Sequence, residues 1–131
     1  MKGFVDDIER LTLDNQNFRR VLYTGRNLQL VLMTLQPGEE IGAEVHDDHD
    51  QFFRVESGEG EIEIDGVRRH IEEDFAMIVP AGASHNVRNV GLTPLKLYTI
   101  YGPPEHQRDV LQRTKREAQR ADEHFDGAVS E

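Results

Sequence analysis

The stretch Asp74-Phe75-Ala76-Met77-Ile78-Val79-Pro80-Ala81-Gly82-Ala83-Ser84-His85-Asn86-Val87-Arg88-Asn89 decides the fold. Phe75 to Val79 reads as a buried strand. Pro80 ends it, because proline has no amide hydrogen to give to a ladder. Gly82 permits a tight turn, since it lacks the Cβ that restricts left-handed backbone. The next strand then opens with an imidazole, and His85 is expected to point into the interior.

Outward from this stretch, Phe18 to Tyr101 consists of short β-branched, aromatic and aliphatic runs separated by Gly, Pro and Asp, the punctuation of strands and turns. The clearest runs are Leu28 to Leu35, Gln51 to Ser57, Glu61 to Ile64, Phe75 to Val79, His85 to Val90 and Leu95 to Tyr101. Their spacing predicts an all-β sandwich or barrel. In Glu61-Ile62-Glu63-Ile64 the isoleucines should face inward and the glutamates outward. Asp65-Gly66 then turns the chain into a return strand from Val67 to Ile71.

The segment up to Asn17 reads either as a short helix from Asp7 to Leu11 or as an added edge strand. After Gly102-Pro103-Pro104, Thr114-Lys115-Arg116-Glu117 forms a capping box ahead of a helix near 115–124. That helix is polar nearly all round, which predicts a solvated tail. The expected division is 1–27 as a segment that adds to the barrel, 28–101 as the barrel, and 102–131 as a polar tail.

Composition narrows the chemistry. At 131 residues, 37% hydrophobic and 31% charged, the chain suits one core with a heavily solvated exterior. Its 25 Asp and Glu against 15 Lys and Arg leave a net charge of −10, which disfavours nucleic acid and anionic membranes as partners. Without cysteine, strong metal ligands are confined to His and carboxylates. The acidic start and the lack of a long apolar run predict a cytoplasmic protein.

The quoted stretch resembles the second sequence motif of the cupins: Gly, five residues, Pro-x-Gly, two residues, His, three residues, Asn. Each fixed position matches except the first, where Asp74 stands for Gly. The first cupin motif, His-x-His, three or four residues, Glu, six residues, Gly, falls on Glu44-Val45-His46 through Gln51 to Gly58. There Glu44 takes the first His position and Gln51 the Glu position. The resemblance covers about residues 28–101 and implies a jelly-roll β-barrel with a short polar C-terminal helix. It further implies one divalent metal ion beside a small-molecule pocket.

Glu44 and His46, two apart, share one side of a strand, as do Gln51 and Phe53. With His85 they suggest a metal set of Glu44, His46, Gln51 and His85. Two imidazoles and a carboxylate suit Fe, Mn, Ni, Co or Zn, with the identity left open. His49 is the rival. On a regular strand it would face away from His46, and in its acidic loop it reads as solvated. His70, His106 and His124 receive no role. Arg54 should point away from the pocket, so no inward cation is placed, which argues against a phosphosugar substrate.

These features predict a metal-dependent enzyme, an oxygenase or isomerase, acting on a small polar metabolite. The alternative is a non-catalytic barrel that binds or senses a small molecule. No residue is assigned a catalytic role. Phe52, opposite in facing to Gln51 and Phe53, suggests a homodimer that packs sheet to sheet.

Overall fold

The computed structural model describes residues 1–131. In chain order the elements are α1 (Ile8–Asp14), β1 (Arg19–Thr24), β2 (Gln29–Leu35), β3 (Glu44–Val45), β4 (Asp50–Ser57), β5 (Glu59–Ile64), β6 (Val67–Glu72), β7 (Ala76–Val79), β8 (Ser84–Arg88), β9 (Leu95–Gly102), β10 (Leu111–Gln112) and α2 (Lys115–Arg120). They form a six-stranded sheet ordered β10-β1-β2-β9-β4-β7 and a four-stranded sheet ordered β3-β8-β5-β6. The chain is all-β, a jelly-roll barrel with short helices at its two ends.

Strand alternation places the core between the sheets. On β9, Leu95, Leu97, Thr99 and Tyr101 are buried, whereas Lys96, Tyr98 and Ile100 face outward and are half-buried. Val31, Met33, Phe53, Val55, Ile62 and Val87 complete the interior cluster. Each such side chain contributes about 1.5–3 kcal/mol when fully withdrawn from water.

Local chemistry explains the connections. Asp65 and Gly66 adopt φ of 47° and 82°, the paired left-handed residues of a tight hairpin between β5 and β6. Asp74, where the cupin pattern has Gly, sits at φ 72°. The position needs left-handed backbone, and Asp tolerates it better than most residues, so the departure is conservative. At Gly58 a Cβ would lie 2.5 Å from the Pro94 carbonyl oxygen, which explains a fixed Gly there.

At the N-terminus the helix reading holds. The Asp7 carboxylate caps α1 by accepting from the Arg10 amide at 3.1 Å. Helix α1 lies against the outside of the six-stranded sheet, with contacts to β9, β4 and β2.

Helix α2 is solvated as expected, with no buried residue, while the segments on either side of it return to the barrel. Strand β10 pairs with β1, joining Arg19 to Gln112 and Arg20 to Leu111. The cap forms with one shift, Glu117 N donating to Thr114 Oγ1 at 3.1 Å while the Glu117 carboxylate accepts at 2.8 Å from Arg113 N, one residue before the cap. Helix α2 ends at Arg120, short of 124, because Ala121 turns to extended backbone. The rest runs back along the barrel rim. Phe125 N donates to Glu105 O, and Ser130 N to Thr24 O, both at 2.8 Å.

On the outer face of the six-stranded sheet, register aligns Leu30 with Ile100, Ile100 with Phe52, and Phe52 with Ile78. Phe52 is half-buried against Tyr98, while Ile78 is 67% exposed. No helix is long and apolar enough to cross a membrane.

Candidate metal centre

Two inward rows converge at one end of the barrel. On the smaller sheet, Glu44 stands opposite His85, and His85 opposite Ile64. On the larger, Gln51 stands between Val79 and Tyr101, and Tyr101 opposite Gln29. Opposed residues share a face, so both rows meet in the interior.

His46 follows β3 directly, and its carbonyl accepts from Gly82 N at 2.8 Å, tying it to the turn before His85. Its Nε2 lies 3.0 Å from Glu44 Oε2, while its Nδ1 lies 3.8 Å from Glu105 Oε2. The His46 and His85 ring centroids are 5.5 Å apart. Gln51 Nε2 donates to Thr99 Oγ1 at 3.0 Å, and the Thr99 hydroxyl donates to Phe52 O at 2.8 Å. A hydroxyl has one hydrogen, so Thr99 can only accept from Gln51, and this fixes the amide with Oε1 turned inward. That Oε1 is buried and has no partner in the protein.

His85 carries the sharpest signal. It is 2% exposed, and both ring nitrogens are buried without a hydrogen-bond partner. Leaving such a group unpaired costs about 1–3 kcal/mol. The ligand atoms of Glu44, His46 and His85 lie within 4.8 Å of one another. Ions bound at 2.0–2.2 Å hold their ligands roughly 3–4.4 Å apart, so small side-chain shifts suffice and the residues fit a divalent ion. Between His46, His49, Gln51 and His85 there is no void for a water molecule.

The charges are arranged to suit a cation. Burial pushes the Glu44 carboxyl up, but the His46 hydrogen bond and the charges of His46, Arg19 and His85 outweigh it and hold it low. Burial pulls His46 down, yet Glu44, Glu105 and Asp48 raise it overall. Burial depresses His85 and His49, which keeps both imidazoles neutral as ligation requires. Burial also raises the Tyr101 hydroxyl, so it stays protonated.

The structure brings Glu44, His46, Gln51 and His85 to one end of the barrel. It corrects the reading of His49, which is 6% exposed with its ring centroid 4.4 Å from that of His46. Strand β3 ends at Val45 and the chain bends at Asp47 and Asp48, so strict alternation does not extend to His49. Its Nδ1 lies 3.2 Å from Asp48 Oδ1. Its Nε2 lies 3.3 Å from Glu105 Oε2 but makes no hydrogen bond. His46, His49 and Glu105 form a second cluster of metal-binding type that shares only the His46 ring with the first.

His106 is likewise no surface residue. It is 8% exposed, with Nδ1 2.6 Å from Glu123 Oε1 and Nε2 3.3 Å from Tyr101 Oη. Glu105 escaped the sequence reading because a bend at Pro103 after β9, not a periodic pattern, delivers it. Arg19 escaped as well, although Arg19 and Val21 share the buried face of β1. Arg54 points outward as expected, pairing with Glu56 and Asp74.

Two facing sheets enclose a histidine and carboxylate cluster that could hold a metal ion. The chain belongs to the cupin family, whose cupin domain matches residues 31–101. It is 44% identical to the uncharacterized protein YrkC of Bacillus subtilis over 128 residues, covering 93% of this chain and 69% of that one. It is 40% identical to the uncharacterized protein L612 of Acanthamoeba polyphaga mimivirus over 108 residues, covering 79% and 67%. The crystal structure of BH2720 from Bacillus halodurans superposes with a TM-score of 0.90 at 44% identity, covering 92% of this chain and 96% of that one.

Proposed function

We propose that this cupin holds one divalent ion through Glu44, His46 and His85, with Gln51 Oε1 as a fourth donor, and is a metal-dependent enzyme for a small polar metabolite. The observation that carries the reading is His85, with two buried ring nitrogens unpartnered beside the Glu44–His46 pair. Glu105 then has a supporting task. It faces His46 Nδ1, the nitrogen that Glu44 leaves free, and would orient the ring as carboxylates behind metal-bound histidines commonly do.

A bound divalent ion supplies Lewis acidity or a site for oxygen, which fits an isomerase or an oxygenase. The chain's own part is to hold the His85 imidazole neutral, keep the Glu44 carboxylate ionised, and exclude water from the His85 side. The site meets solvent on the other side, where the Glu44 and Glu105 side chains are 33% and 22% exposed, so substrate enters there.

Titration of the metal-free chain with Fe, Mn, Ni, Co and Zn, followed by elemental analysis, is expected to show one equivalent bound for at least one ion. His49→Ala is expected to keep that stoichiometry. No binding of any of the five would sink the reading. The closed His85 side favours a second reading, a non-catalytic binding or sensing barrel. Water-proton relaxation of the Mn-loaded chain separates the two, since an enzyme keeps an exchangeable water and a fully coordinated structural ion does not.

We also propose a homodimer joined through the outer row of Leu30, Ile100, Phe52 and Ile78. Exposed apolar rows of this kind mark interaction surfaces. Light scattering is expected to return twice the 15.0 kDa chain mass, and Ile78→Asp to return the monomer. A monomeric parent chain would refute it.

A further inference from the structure

Arg19 is the only lysine or arginine among the buried residues, at 7% exposure. It leaves the inner face of β1 opposite Met33 of β2 and Gln112 of β10. Nη1 donates to Gln112 Oε1 at 2.7 Å, and Cζ lies 5.3 Å from the centroid of the Phe18 ring. Its Nε is buried and has no partner. Arg19 also takes part in none of the ion pairs, which reach to 4.0 Å. A guanidinium does not lose its proton in a protein, so a full positive charge sits in the interior with no carboxylate at ion-pair distance. Such a charge is costly unless something pairs with it.

The position of this charge matters for the site. Its side chain leaves the buried face of β1, the face that also carries Val21, and so enters the interior between the two sheets in which the candidate metal centre lies. In a chain of net charge −10, an anion can settle only where a local cation outweighs the overall field. Arg19 is such a cation, and it removes the argument against phosphorylated ligands that Arg54 alone had suggested.

We propose that Arg19 is an anion-binding residue, and that the small ligand of this barrel carries a carboxylate or phosphate that pairs with its guanidinium. This rests on the reading of the barrel as a small-molecule site, but it does not need the metal. The fork of Nε and the second terminal nitrogen suits two oxygens of one oxyanion.

The test uses the full chain, with and without metal, and two probes: inorganic phosphate and malonate, each at constant ionic strength. One of them is expected to raise the unfolding midpoint by about 5–10 °C at a hundredfold excess over its Kd, and which one does so tells phosphate from carboxylate. Arg19→Met is expected to weaken that probe about 10- to 100-fold. The same variant, free of ligand, is expected to unfold at a higher temperature than the parent, because an unpaired interior charge has gone. Arg19→Lys keeps the charge without the fork and should bind between the two.

The proposal is overturned if neither probe binds the parent chain or if Arg19→Met binds as tightly. It is also overturned if Arg19→Met only lowers the midpoint, which would make Arg19 a structural partner of Gln112 and Phe18. Probe binding that depends on Arg19 in a chain that takes up no metal would sink the metal reading and leave this one standing.

Discussion

His85→Ala is expected to lower divalent-metal affinity by at least about a hundredfold, measured by calorimetric titration of the metal-free variant. Loss of a mere supporting partner behind a ligand costs 10- to 100-fold, and loss of a ligand costs no less. The stability of the metal-free variant provides the control. Removing the ring abolishes two buried unpartnered nitrogens, at about 1–3 kcal/mol each, but opens a cavity beside Phe53, whose ring centroid is 6.0 Å away. These terms oppose, so the variant should stay within about 2 kcal/mol of the metal-free parent. Metal at a thousandfold excess over Kd should stabilise the parent by about 4 kcal/mol and the variant far less. An equal rise in midpoint for both would remove His85 from the site.

Phe53→Ala is expected to destabilise the fold by about 3–5 kcal/mol, with a fall in midpoint of roughly 10–20 °C. Phe53 is fully buried on β4, paired with Thr99 on one side and Met77 on the other. Truncation leaves a void that paired strands on both sides cannot collapse into. Its neighbour Phe52 faces the opposite way, so Phe52→Ala should cost no more than about 1 kcal/mol in the monomer. Denaturant unfolding of the two variants checks both. Equal losses would contradict the facing of β4.

Much of the fold could be read from local residues. Asp65-Gly66, the alternating Glu61 to Ile64, and the Pro80-x-Gly82 turn each state a backbone geometry that their neighbours repeat. Glu44, His46, Gln51 and His85 could be nominated because strand period two decides which side chains share a side. Where the period stops, so did the reading. His49 lies beyond a bend, where no alternation rule applies. Glu105 reaches the histidines only past a bend at Pro103, and Glu123 reaches His106 across a non-periodic tail. Arg19 was legible in principle, since it alternates with Val21, but a charged residue is not expected on a buried face without a partner.

Strand β10 closes on β1 across 93 residues of chain, through the pair of Arg19 and Gln112. Pairings so distant in sequence form slowly, because a long loop must be ordered before they contribute. During synthesis the first strand of the large sheet therefore waits, its outer edge unpaired, until residue 112 has left the ribosome. The side chain that carries the interior positive charge gains its fixed partner only at that stage. Until then that edge is open to pairing with another chain, and the acidic composition works against such pairing by mutual repulsion.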